Sequence, residues 1–262
     1  MLIKTNGIGM NYELSGKKGA PVVILSHSLG SSLIMWDPQR KALEPHFQVL
    51  RYDIRGHGKS EAPPGDYTLE LLSEDAVALL DVLEIEKVHW VGLSMGGMIG
   101  QSVALNYPTR IQSLVLCDTA AAVAPEAQPI WQDRIDAVRE KGVASQLEPT
   151  MERWFTPSFL NLNPYMLGVI RKEFLATPAQ GYLGSIYAIR KLNYLDRLSE
   201  IKIPTLIMVG EEDLGTPVSA SEAIHQVTPN SKLVIIQSAR HLSNVEQPEV
   251  FNTNLLTFLN SL

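Results

Sequence analysis

The 262-residue chain has a single cysteine, Cys117, so no intramolecular disulfide can frame it. That residue ends the apolar run Leu-Val-Leu-Cys at 114–117, which reads as a buried core thiol. Basic residues are scarce as well: 22 Lys and Arg stand against 28 Asp and Glu, a net charge of −6. No cluster of them offers the counterion-displacing surface that nucleic acid requires. Nowhere do about 18 apolar residues run unbroken, and the start, Met-Leu-Ile-Lys-Thr-Asn-Gly, lacks the apolar segment of a secretory signal. These absences predict no membrane partner and a cytoplasmic location. Paired-Cys motifs, His-Glu-x-x-His and Gly-x-Gly-x-x-Gly are missing too. Gly58-Lys59-Ser60 could close a phosphate loop, but the earlier glycine position holds Asp53. No metal, nucleotide or redox cofactor is expected.

Apolar side chains are plentiful, at 45% against 19% charged, enough for a large core. Short β-branched runs at 21–25, 47–52, 88–92, 111–117, 205–209 and 232–236 are near-continuous in hydrophobicity. That is the mark of strands buried on both faces in a parallel sheet. Helical periods separate them, as at Leu69, Leu72, Ala76, Leu79, Leu80 and Leu83, with Thr68 as N-cap. The alternation predicts an α/β fold with a mostly parallel central sheet flanked by helices. It lapses between about 120 and 198, where helix-like segments rich in Pro, Trp and Phe follow one another. The sheet pattern then resumes, so residues 120–198 are expected to form a helical cap, or lid, inserted into a core of residues 1–119 and 199–262.

The most informative segment is Val-Gly-Leu-Ser-Met-Gly-Gly at 91–97, a Gly-x-Ser-x-Gly pattern after a strand and before a helix. A sharp strand-to-helix turn lifts the Ser94 hydroxyl above the sheet, where helix N–H groups favour developing negative charge. Its small flanking residues let neighbouring backbones approach. A serine nucleophile needs a base, and the base an orienting carboxylate. Asp213 follows the strand at 205–209, and His241 follows the strand at 232–236. Glu211 and Glu212 are rival acids, but the shorter Asp213 immediately precedes a Leu-Gly-Thr-Pro turn. His46, His89 and His225 read as structural, and His57 as ordering a loop beside the site.

The order Ser94, Asp213, His241 resembles that of the α/β hydrolases, and the likeness covers nearly the whole chain. More narrowly, several segments resemble the 3-oxoadipate enol-lactonases: Ser28-Leu29-Gly30, Arg55-Gly56-His57-Gly58, 92–97, 116–121, Arg153-Trp154-Phe155-Thr156-Pro157 and 241–245. The departures are His27, where that family often carries Asn, Arg240, where it has a small residue, and the segments at 183–186 and 191–193. The resemblance implies an oxyanion hole from the backbone N–H groups of Leu29 and Met95. It also implies hydrolysis of a small ester or lactone through an acyl-enzyme on Ser94, as in the breakdown of aromatic compounds. Such a lactone carries a carboxylate, so a cap cation is expected: Arg190 first, with Arg134 and Arg153 as rivals. Trp131 and Trp154 are candidate apolar walls. A carboxylesterase, a carbon–carbon bond hydrolase and a perhydrolase share the triad and remain alternatives, as does a ligand-binding receptor on the same scaffold. A dehalogenase or epoxide hydrolase would need a carboxylate where Ser94 stands.

Overall fold

The computed structural model describes residues 1–262. Strands β1 (Leu2–Thr5) and β2 (Ile8–Gly16) form an antiparallel hairpin turned at Asn6-Gly7, with φ values of 45° and 78°. Two positive φ angles in a two-residue loop match strand twist, and Asn-Gly tolerates them. The sequence reading had no strands here. The chain then alternates through β3 (Val22–Ser26), α1 (Asp37–Leu43), β4 (Gln48–Tyr52), α2 (Leu69–Val82), β5 (Val88–Leu93), α3 (Met95–Asn106) and β6 (Ile111–Cys117). Five helices follow without a strand between them: α4 (Gln128–Lys141), α5 (Leu147–Trp154), α6 (Pro157–Leu162), α7 (Tyr165–Ala176) and α8 (Ala179–Arg190). The alternation returns with β7 (Thr205–Gly210), α9 (Val218–Val227) and β8 (Ser231–Ile236), and ends in α10 (Ser243–Glu246) and α11 (Pro248–Leu259).

The eight strands lie in the order β1-β2-β4-β3-β5-β6-β7-β8. The first two pairings, β1 with β2 and β2 with β4, are antiparallel, and the rest are parallel. The six runs read as buried strands all pair in this sheet, each within one residue of its expected ends. Helix α2 starts where expected, the Thr68 hydroxyl accepting the Leu71 N–H at 3.1 Å. Cys117 is fully buried at the end of β6, and burial pushes its thiol well above the usual range. No helix is long and apolar enough to cross a membrane.

The strand order also fixes where a site can be. From β3 the chain steps outward to β4, then crosses back to β5 on the other side of β3. Loops leaving the C-terminal ends of β3 and β5 therefore diverge and leave a crevice between them. Residues 27–30 and Ser94 sit at those two ends. The α4–α8 segment leaves and re-enters the sheet at one place: Val123 N–H donates to the Leu192 carbonyl at 3.0 Å and Tyr194 N–H to Ala121 at 2.7 Å.

Candidate active site

Ser94 stands between β5 and α3 with φ 55° and ψ −116°, a strained backbone for a residue with a side chain. Its surroundings hold it there. Ser94 N–H donates to the Cys117 carbonyl at 2.9 Å, and the Thr119 hydroxyl donates to the Ser94 carbonyl at 2.7 Å. The turn also needs its glycines: a Cβ on Gly92 would come within 2.1 Å of the Gly96 carbonyl oxygen, and one on Gly96 within 2.1 Å of the Ser26 carbonyl. The Ser94 side chain opens onto a cavity of about 310 Å³ that His241 and Thr216 also line.

His241 sits in the loop after β8, with Nδ1 2.8 Å from Asp213 Oδ2. Asp213 lies in the loop after β7 and is almost wholly buried. Its Oδ1 accepts the N–H groups of Gly215 (2.7 Å) and Thr216 (3.1 Å), and its Oδ2 the Thr216 hydroxyl (2.8 Å). This is the turn that a short acidic side chain makes with its own backbone, and a Glu one position earlier would be too long for it. Burial opposes the Asp213 charge, but His241 and the Thr216 bonds outweigh it and hold the carboxyl below its usual value. Glu211 and Glu212 are exposed and make no contact with the imidazole.

A second buried carboxyl lies behind the first. Asp118, just past β6, accepts the Gly210 N–H at 2.8 Å and bonds the Ser243 hydroxyl at 2.6 Å. Burial, with Asp213 nearby, raises it well above the ordinary range. The His241 loop is further stitched to the segment at 152–156. Leu242 N–H donates to the Trp154 carbonyl at 3.2 Å, and Arg240 donates to the carbonyls of Glu152 and Phe155. Glu246 accepts the Thr156 N–H at 3.0 Å and the Arg240 N–H at 2.9 Å.

The amides of Leu29 and Met95 donate to no group in the protein, and Leu29 lines the cavity. Trp131 and Trp154 line it too, Trp154 with its ring edge-on to Phe174 at 5.9 Å. Arg190 does not reach it. Its guanidinium turns along α8 to the side chains of Gln128 (2.8 Å) and Gln132 (3.0 Å) on α4, whose amide oxygens satisfy it away from the cavity. The cations that do line the cavity are Arg134 and Arg153, and neither makes an ion pair. Arg134 stacks 4.5 Å from the Trp131 ring centre, and Arg153 donates to the Thr150 hydroxyl at 2.9 Å. Burial, with Arg134 close by, brings Arg153 down to about 10, still charged at neutral pH. Tyr182 and Thr150 complete this polar wall and had no signal in the sequence beyond helical spacing.

His57 is fully buried beside the site, its ring centre 5.3 Å from that of His27. Burial lowers His27 to about 4, and burial with the neighbouring imidazole lowers His57 to about 3. An unfolded imidazole takes up a proton below about pH 6.5, whereas these two stay neutral when folded. At these two residues the unfolded chain thus binds more protons, and their share of the stability falls as pH drops from about 6.5 towards 4, opposed by the raised Asp118 carboxyl, which holds its proton better when folded. Calorimetry should find the melting temperature several degrees lower at pH 5 than at pH 7. A His27 or His57 imidazole resonance that titrates between pH 7 and pH 5 in the folded protein would refute the neutral burial of this pair.

A strained serine after β5, a histidine–aspartate pair from the loops after β8 and β7, and a helical segment whose side chains line the same cavity form a recognisable whole. Residues 21–248 match the family described as the α/β hydrolase fold. The chain belongs to that family. It is 36% identical to 3-oxoadipate enol-lactonase 2 of Acinetobacter baylyi, over 94% of this chain and 91% of that enzyme. Among solved structures, a hydrolase from Pseudomonas aeruginosa superposes with a TM-score of 0.94 at 41% identity, covering 99% of this chain and 97% of that one. The enol-lactonase of Burkholderia xenovorans gives 0.95 at 36%, covering 99% and 100%.

Proposed function

We propose that this α/β hydrolase cleaves a small carboxylate-bearing lactone or ester, with 3-oxoadipate enol-lactone as the substrate, through an acyl-enzyme on Ser94. In this reading residues 120–198 are a cap over a core of 1–119 and 199–262. His241 Nε2 takes the Ser94 proton as Oγ attacks the ring carbonyl, while Asp213 holds Nδ1–H and stabilises the imidazolium. The N–H groups of Leu29 and Met95 receive the oxyanion. Collapse of the tetrahedral intermediate expels the enolate, which His241 protonates, and the enol relaxes to the ketone. A water then gives its proton to His241 and attacks the acyl carbon, and as the second tetrahedral intermediate collapses His241 returns that proton to Ser94 Oγ, releasing the open-chain acid.

The observation that carries the substrate class is the pair of arginines, Arg134 and Arg153, on the cavity wall without a carboxylate partner. Cations on a cavity wall that form no ion pair within the protein favour an anionic ligand, and the relatives named as enol-lactonases support a lactone. Steady-state rates on 3-oxoadipate enol-lactone, beside p-nitrophenyl acetate and butyrate, test the reading. A kcat/KM of about 10⁴ to 10⁸ M⁻¹s⁻¹ for the lactone, far above the esters, is expected. Ester turnover with negligible lactone turnover would discard the substrate and keep the chemistry. Arg134→Ala and Arg153→Ala should each raise KM for the lactone about 10- to 100-fold, the worth of a hydrogen bond to a charged group, and leave the neutral esters within about threefold.

A further inference from the structure

Both ring nitrogens of His27 are engaged, although the residue is fully buried and takes no part in the proposed chemistry. Its Nε2 accepts the Ile54 N–H at 2.9 Å, so the ring proton resides on Nδ1, which donates to the Ser28 carbonyl at 2.8 Å. This pattern needs a neutral imidazole, and burial, lowering His27 to about 4, keeps it so. The Ser28 carbonyl accepts a second bond, from Ser31 N–H at 3.2 Å. That carbonyl shares a peptide plane with the Leu29 amide. In a trans peptide the C=O and N–H point to opposite sides, so holding the oxygen towards His27 aims the hydrogen the other way. The Leu29 N–H has no partner in the protein, and Leu29 lines the cavity with Ser94.

We infer that His27 is a positioning residue for the oxyanion hole: bridging the Ile54 amide and the Ser28 carbonyl, it holds the Ser28–Leu29 peptide with the Leu29 N–H turned to the cavity. It touches no reacting atom. The inference rests on the serine-hydrolase reading above. An asparagine, carrying both a donor and an acceptor on one short amide, can replace the two bonds, whereas leucine of similar bulk can make neither.

The test is p-nitrophenyl acetate hydrolysis by the wild type, His27→Leu and His27→Asn, with melting temperatures and inhibition by phenylboronic acid, whose tetrahedral adduct on serine places an oxygen among the oxyanion donors. Losing an oxyanion donor outright costs about 100- to 1000-fold. A mis-aimed one should cost less, so His27→Leu is expected to lower kcat about 10- to 100-fold with KM within about threefold. The boronate Ki should rise in parallel, and His27→Asn should recover to within about threefold of the wild type. If the leucine variant does not melt cooperatively, His27→Ala is read by the same criteria. A kcat for the leucine variant near that of the wild type would overturn the inference. So would equal losses in the leucine and asparagine variants, or a fall in kcat with no change in boronate affinity. A wild type inert towards p-nitrophenyl acetate would instead overturn the hydrolase reading itself.

Discussion

Ser94→Ala is expected to lower kcat for p-nitrophenyl acetate by about 10⁴- to 10⁶-fold, leaving the residual catalysis that oxyanion donors and substrate binding can supply to an attacking water. The melting temperature should hardly move. Alanine meets the same strain at φ 55° as serine does, and the Ser94 hydroxyl bonds to nothing in the protein that its loss would orphan. A stable but inactive variant would thus isolate the nucleophile. A rate within tenfold of the wild type would remove Ser94 from that role.

Asp213→Asn should cost about 10⁴-fold in kcat, for a reason the geometry makes specific. All four groups that contact the Asp213 carboxylate are donors: Gly215 N–H, Thr216 N–H, the Thr216 hydroxyl and His241 Nδ1. An amide has only one accepting oxygen. If that oxygen stays in the turn with Gly215 and Thr216, its NH₂ faces His241, and the imidazole must move its proton to Nε2, the atom that accepts from Ser94 in the proposed mechanism. Asp118 is close, but it cannot substitute. Its oxygens are held by Gly210 N–H and Ser243, and its burial favours the protonated form. Single-turnover kinetics of the two variants, and of the pair combined, check this. A double variant no slower than Ser94→Ala alone is expected of groups that act as one unit. An Asp213→Asn enzyme within tenfold of the wild type would transfer the acid's role elsewhere.

Much of this was legible before any coordinates, because the parallel strands are apolar on both faces and announce themselves without tertiary context. The glycine-flanked Ser94 and the strand-end positions of Asp213 and His241 are equally local signals. The N-terminal hairpin escaped for a different reason. Its edge strand β1 is half exposed, so it has no continuous apolar run, and its one clear signal was the Asn6-Gly7 turn. Arg190 was misplaced because helical spacing does not say which face of α8 meets α4. It lies in reach of Gln128 and Gln132, while Arg153 reaches the cavity from α5. The Glu246 contacts with Thr156 and Arg240 span 90 and 6 residues, and a link of the longer kind leaves no periodicity to read.

The lone Cys117, sealed in β6 with its thiol held far from the thiolate form, leaves the native protein inert to maleimides and other labelling reagents while folded. A reporter can therefore be attached without first stripping cysteines. Leu214 is 61% exposed and also lines the active-site cavity. A fluorophore or spin label on a cysteine introduced there would be the sole probe in the molecule, stationed on the cavity wall within reach of solvent.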